Sequence, residues 1–451
     1  MTRTTAVRLS LFFVLLVAVT FFFGGCGGGS NNSGNSNPSA SPGAGTPPPG
    51  GSGTSGTTGT STGSTGTSTT GGSTTGSGST TGGGSGSSGG SGSGGGTGSG
   101  GGTGGSGSTQ AGFVYVANRG SGTITIFKMN ADGSLVPAGS TPVTGVRWLA
   151  SIGNKYVVAT DHFGDFSPAQ LQAFKVDSST GALTPFSVAP LLKPANAITT
   201  DESGSLVYAG TNDAIYGYTL TDAGFSPLPG SPYFANTPGQ DPRFDKWVEA
   251  LLITPFSPNL FAGYLGDRGS GFFAVIQRDQ NGVLTQRKIC CETIESVAAF
   301  AGGKFAYLTE GGFTFGTQID SSGQPTIMQG SDVESADKLA NDPGGKFLFG
   351  VSNNARVDGF VQVYSIDSSS GMPTKAPGSP FSTQGKGAAT VRVESQGKFV
   401  LVPNGSNLVT NTPSNNIAVF SLNSSTGALT PVPGSPFENG GSLPMDLVVV
   451  H

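Results

Sequence analysis

Apolar and polar positions divide this chain into three zones. Residues 9–23 form an apolar run, LSLFFVLLVAVTFFF. It falls short of the roughly 20 residues a membrane-spanning helix needs. It has the size of the apolar core of an export signal, with Arg3 and Arg8 as its positive flank. Residues 27–110 are Gly, Ser and Thr with a little Asn and Pro, and carry no charge. From Phe113 a third pattern takes over. Short apolar runs, several alternating with period two, are separated by turns of Gly, Asn and Asp, and these predict β-strands.

The third zone repeats itself. One strand recurs as Val114-Tyr115-Val116-Ala117-Asn118, Tyr156-Val157-Val158-Ala159-Thr160 and Leu206-Val207-Tyr208-Ala209-Gly210, and again from Leu260, Phe305, Phe347 and Phe399. The starts lie roughly 42 to 54 residues apart, the period of propeller blades. Turns such as Gly302-Gly303-Lys304 and Gly344-Gly345-Lys346 precede it, where Gly supplies positive φ. A second strand follows, as in Thr123-Ile124-Thr125-Ile126-Phe127 and Val361-Gln362-Val363-Tyr364. A polar turn then ends in Gly, as in Asp177-Ser178-Ser179-Thr180-Gly181 and Asp367-Ser368-Ser369-Ser370-Gly371. Each such turn offers one or two carboxylates, against the six to eight oxygens calcium takes, so an Asx-type hairpin turn is expected. A short outer strand carries Pro, as in Ala182-Leu183-Thr184-Pro185, which marks a sheet edge. Three exits read Pro-Gly-Ser-Pro-aromatic, at residues 229–233, 377–381 and 433–437.

Seven such units predict an all-β fold: a seven-bladed β-propeller of four-stranded antiparallel blades. The zone starts on a second strand and ends on a first strand, Asp446-Leu447-Val448-Val449-Val450. The N- and C-terminal strands are therefore expected to close one blade together. The predicted organisation is a lipoprotein signal peptide at 1–25, a lipidated Cys with a disordered Gly/Ser/Thr-rich linker at 26–110, and the propeller at 111–451. The linker buries no apolar surface that would offset its ordering entropy. As a coil of about 84 residues it would reach roughly 50 Å.

Composition narrows the function. The 451 residues include 77 Gly and carry a formal charge of −4, which disfavours nucleic-acid binding. Two His and three Cys exclude a Cys/His zinc framework and a disulfide-dense scaffold. No metal and no cofactor is expected. Phe23-Gly24-Gly25-Cys26 resembles a bacterial lipobox, with Phe23 in place of the usual Leu. The resemblance implies lipid attachment at Cys26 and a bacterial envelope location. Gly27 rather than Asp after the Cys leans toward the outer membrane.

The blade motifs Tyr115-Val116-Ala117-Asn118, Ser-Ser-Thr-Gly-Ala-Leu-Thr-Pro and Pro-Gly-Ser-Pro-Phe resemble the lactonase-like, 6-phosphogluconolactonase-type seven-bladed propellers over about residues 113–450. The family's enzymes imply His, Arg and Glu near a central channel, with a histidine-rich motif. This sequence has no such motif; its His residues are His162 and His451. The leading expectation is therefore a monomeric, non-enzymatic binding or scaffolding module, whose partner is a sugar, a small organic anion or an envelope protein. The alternative is a lactonase-like hydrolase of sugar lactones acting in the channel. Candidate ligand-binding residues are Arg147, Trp148, His162, Arg243, Trp247, Glu249, Asp267, Arg268, Lys338 and Arg392, in which charged groups and Trp could hold a sugar or organic anion. Asp337 is a further inner-strand candidate. His162 beside Asp161 could act as a base, without a Ser nucleophile at a recognisable elbow. Cys290 and Cys291 are either a vicinal disulfide or two reduced core residues.

Overall fold

A computed structural model describes residues 110–161, 169–201, 204–212, 214–234, 246–255, 257–266, 271–291, 294–352, 358–406 and 413–451. The predicted export signal, Cys26 and the linker lie outside the described residues. Seven antiparallel sheets follow one another along the chain. The innermost strands, blade 2 through blade 7 and then blade 1, are Val146–Ile152, Ala195–Thr200, Lys246–Ile253, Ser296–Phe300, Lys338–Asn341, Arg392–Val393 and Pro444–Val450. The result is the seven-bladed propeller expected. Blades 6 and 7 go beyond four strands, because Phe381–Lys386 and Phe437–Glu438 pair with a blade strand after the Pro-Gly-Ser-Pro turn.

The ring closes in blade 1. The first strand, Gln110–Asn118, pairs antiparallel with the last, Pro444–Val450, in the register Phe113↔Val450 through Ala117↔Asp446. The pairing joins residues more than 300 positions apart in sequence.

The core is divided rather than central. Seven apolar clusters form, one between each pair of neighbouring blades. Period two explains this. Phe113, Tyr115 and Ala117 pack toward blade 2, while Val114 and Val116 pack toward blade 7. A strand buried on both faces needs apolar residues at every position, so the repeating strands read as continuous apolar runs.

The sequence repeats have local structural causes. In the Asx turns, Asp177 Oδ1 accepts from the Ser179 and Thr180 backbone N–H groups at 3.0 and 2.8 Å, and Asp367 does the same with Ser369 and Ser370. Hydrogen bonds from the Ser179 hydroxyl and these N–H groups hold Asp177 below the usual carboxylate range. Each turn's Gly then meets the preceding blade. A Cβ on Gly181, at φ +76°, would lie 2.3 Å from Phe113, and one on Gly371 would lie 2.5 Å from Phe305. Tyr115 Oη donates to the Gly181 carbonyl at 2.9 Å, and Tyr307 Oη to Gly371 at 3.1 Å. In the Pro-Gly-Ser-Pro turns, Ser231, Ser379 and Ser435 each precede a cis proline. Their hydroxyls accept from Gly217, Val363 and Val419 N–H at 2.9 Å.

Candidate functional site

The innermost strands enclose a channel of about 1060 Å³. Its wall includes Trp148, Asn196, Glu249, Glu295, Lys338 and Arg392. Trp148, Asn196, Glu249, Glu295 and Lys338 share one end of the channel because each lies at, or next to, the early part of its inner strand. Four inner strands carry an extra residue there. Val146–Leu149 spans the register of Asp161–Ala159, Ala195–Ala197 that of Thr211–Gly210, Val248–Ala250 that of Tyr264–Gly263, and Asp446–Pro444 that of Ala117–Asn118. A β-bulge re-aims the side chain of its extra residue. Asn196 and Glu249 occupy bulges, and Arg147 and Trp148 share one.

Trp148 is the centre of a cationic cluster. The Arg147 guanidinium lies 4.9 Å from its ring centroid, and the Lys338 ammonium 5.4 Å. Lys338 Nζ also donates to the Glu295 carbonyl at 3.3 Å. Trp148 Nε1 and Arg147 Nε are buried without a hydrogen-bond partner, an arrangement that favours a polar ligand group at this end. Burial pushes the Glu249 carboxyl above its ordinary range, and Glu295 adds to the rise, while Lys338 and Arg147 pull it back. Burial lowers the Lys338 ammonium, and Glu249 opposes that shift. A carboxylate raised in this way is a stronger base than an ordinary glutamate. Neighbouring cations can stabilise an oxyanion, and an indole offers a sugar ring an apolar face.

The other sequence-predicted residues fall differently. His162, Arg243, Asp267 and Arg268 lie outside the described residues. Trp247 is half-buried two positions before Glu249, and is not part of the channel wall; nor are Arg147 and Asp337. Arg392 lines the wall, and its guanidinium is committed to Asp446, with Nε–Oδ1 at 2.9 Å and Nη2–Oδ2 at 2.8 Å. Asp337 Oδ2 accepts from the Ser352 hydroxyl at 2.9 Å. His451, read from sequence as a terminal residue only, packs at the seam of the ring. Its Nδ1 is 2.9 Å from the Ala111 carbonyl and its Nε2 3.0 Å from Glu394. Cys290 and Cys291 are joined by a disulfide, at the end of the outer strand Leu284–Cys290. Sequence reasoning missed Asn196, Glu295 and Asp446. A polar residue inside an apolar inner strand was the available signal for Asn196 and Asp446; Glu295 acts through its carbonyl, which no side-chain pattern reveals. Among the described residues, no group of His, Cys, Asp and Glu is arranged to hold a metal ion.

No protein-family model matches the chain, and no curated protein matches it. Solved structures do. A candidate 6-phosphogluconolactonase from Bacteroides fragilis superposes with a TM-score of 0.58 at 21% identity, over 75% of this chain and 98% of that one. A second, from Bacteroides uniformis, gives 0.58 at 19% identity, over 75% and 99%. The Pseudomonas aeruginosa periplasmic gluconolactonase PpgL gives 0.56 at 17% identity, over 75% and 99%. What the chain has in common with them is the fold, the seven-bladed propeller of the lactonase-like structures.

Proposed function

We propose that this protein is an exported hydrolase of sugar lactones that works at the Trp148 end of the channel. The observation that carries the reading is Glu249, a carboxylate lifted by burial and flanked by the cations of Lys338 and Arg147. In the reaction, the Glu249 carboxylate takes a proton from water as the water oxygen adds to the lactone carbonyl carbon. The resulting oxyanion is stabilised by Lys338, which lines the channel wall. Its collapse breaks the ring C–O bond, and the leaving alkoxide recovers the proton from Glu249. The product is an open hydroxy acid. The propeller's likeness to lactonase structures supports the same reading.

The test is hydrolysis of a panel of γ- and δ-aldonolactones by the full chain, followed by pH-stat titration. Glu249→Gln should lose at least about 100-fold in turnover, the lower range for a positioned base. Equal rates for wild type and Glu249→Gln across the panel would overturn the proposal. A second reading, a binding or scaffolding module without catalysis, draws on the commitment of Arg392 and His451 to structural partners. Product aldonates that quench Trp148 fluorescence, without any turnover, would select it.

Export and anchoring belong to the same proposal, with lipid attachment at Cys26 and an outer-membrane location. The first strand begins at Gln110 and runs to Asn118, which pairs with Pro444 at the Glu249 end of the channel. Labelling with a fatty-acid probe, lost in Cys26→Ala, tests the anchor.

A further inference from the structure

The vicinal pair Cys290–Cys291 is linked to the inner strand of blade 4 through the strand ladder. One ladder row crosses blade 4 from the channel to the outer edge: Ala250 pairs with Gly263, Gly263 with Phe273, and Phe273 with Cys290. Ala250 follows Glu249 in the chain, so the row runs from the candidate base to the disulfide. Its middle position has no side chain. A Cβ on Gly263 would lie 2.8 Å from Ile294 Cγ2 and 3.2 Å from Ala250 Cβ. Ile294, fully buried, therefore fills the space at Gly263 and shares one apolar cluster with Ala250. Cys290 and Cys291 pack against the same cluster, which holds Ala250, Phe273 and Ile294.

The return path leads to the cation. Ile294 N donates to the Tyr264 carbonyl at 3.1 Å. The next residue, Glu295, offers its carbonyl to Lys338 Nζ. The Ser296 hydroxyl then accepts from Leu339 N at 2.9 Å, beside Lys338 itself. Cys291 itself has φ +65°, a region a non-glycine residue rarely adopts.

We infer that the Cys290–Cys291 disulfide is a redox-sensitive positioning element: reduction lets the backbone at Cys291 leave its left-handed conformation and shifts Ile294 and Glu295, and with them Lys338 relative to Trp148. The step takes a dithiol reductant. One reductant thiolate attacks a cysteine sulfur and forms a mixed disulfide. Its second thiol displaces that cysteine, so the pair gains two electrons and two protons and the reductant leaves as its own disulfide. The coupling holds whether the channel hydrolyses its ligand or only binds it.

Both tryptophans of the chain, Trp148 and Trp247, lie on inner strands near this mouth. In full-length Trp247→Phe protein, Trp148 is the sole emitter. Acrylamide quenching is measured before and after dithiothreitol, with thiol alkylation and intact mass confirming two new thiols. Quenching should rise at least twofold on reduction and return on reoxidation, while far-UV circular dichroism stays constant. Cys290→Ser/Cys291→Ser protein should show the reduced value with or without reductant. Unchanged quenching in protein confirmed as reduced would overturn the inference. So would a change that appears only together with loss of the circular dichroism signal, since the bond would then serve stability alone. If the double variant does not fold, the reversible cycle of the parent protein decides. Lactone turnover plays no part in the readout, so failure here and failure of the hydrolase reading are separate results.

Discussion

The guanidinium of Arg392 grips both carboxylate oxygens of Asp446 across the seam where the ring closes. Asp446 is fully buried, and its Oδ2 also accepts from Leu149 N at 3.0 Å. One carboxylate thus ties the last strand to the inner strands of blades 7 and 2. Removing Arg392 leaves a buried charge with that one N–H partner. Arg392→Ala should lower stability by roughly 2 kcal/mol in urea unfolding, less than the full loss of a buried pair because Arg392 is partly exposed. A loss within error of zero would show that the pair carries no structural weight.

The seam itself is the second target. Deletion of residues 444–451 strips the first strand of its partner from Phe113 to Asn118. It also exposes one face of the cluster that holds Val114, Val116 and Leu447. The shortened protein should lack a cooperative thermal transition or elute as aggregate. A monomer melting at the parent temperature would contradict a ring closed by both chain ends.

A pH dependence follows from His451. The hydrogen-bonded contact with Glu394 raises its pKa above 6.5, burial opposes the rise, and the Ala111 carbonyl supports it. Lys398 is the other charge that acts on it, and lowers it. A raised folded-state pKa contributes stability that is fully present below about 6.5 and is lost as pH rises through the folded value. For Glu394, burial works upward, but hydrogen bonds from His451 and from Gln396 and Lys398 N–H prevail and lower the pKa. Its contribution is lost as pH falls through that lowered value. The difference in urea midpoint between wild type and His451→Gln should therefore be largest in mildly acidic buffer and close in alkaline buffer. A gap that widens as pH rises would contradict the assignment.

Two glycines separate backbone cost from packing cost. Gly440 has φ +71° and open space around a hypothetical Cβ, whereas at Gly181 the same atom would strike Phe113. Gly440→Ala should cost about 1 kcal/mol, the left-handed backbone term. Gly181→Ala should cost about 3 kcal/mol, since overpacking adds to it. Equal losses in the two variants would remove the interlocking role assigned to the Asx turns.

If Glu249 is the base, kcat/KM for a lactone should rise with pH through a pKa displaced upward from the ordinary 4.5. It should fall again as Lys338 loses a proton from a pKa displaced downward from 10.5. Replacing Lys338 with Arg, which stays protonated, should erase the alkaline limb. An acid limb at the ordinary glutamate value, or an alkaline limb that survives Lys338→Arg, would assign the profile to other groups.

The blade count, the strand identity, the Asx turns and the closure by both chain ends were legible in the sequence. Each depends on local periodicity, on positive-φ glycines or on where the first and last repeats begin. Trp148, Glu249 and Lys338 were legible as candidates, because charged and aromatic residues stand out in apolar inner strands. Their grouping was not. It depends on bulges at the starts of the inner strands and on burial, which sets the direction of the Glu249 and Lys338 pKa shifts. Arg392 shows the difference most plainly: the sequence presents a cation on the channel wall, and only the fold brings Asp446 to it from 54 residues away. The disulfide between adjacent cysteines was an open choice in sequence as well, and the structure shows the two joined. Repetition along a chain specifies repeating strands and turns; closure of the ring brings distant, unrepeated side chains into one channel, and that meeting is a property of three-dimensional packing alone.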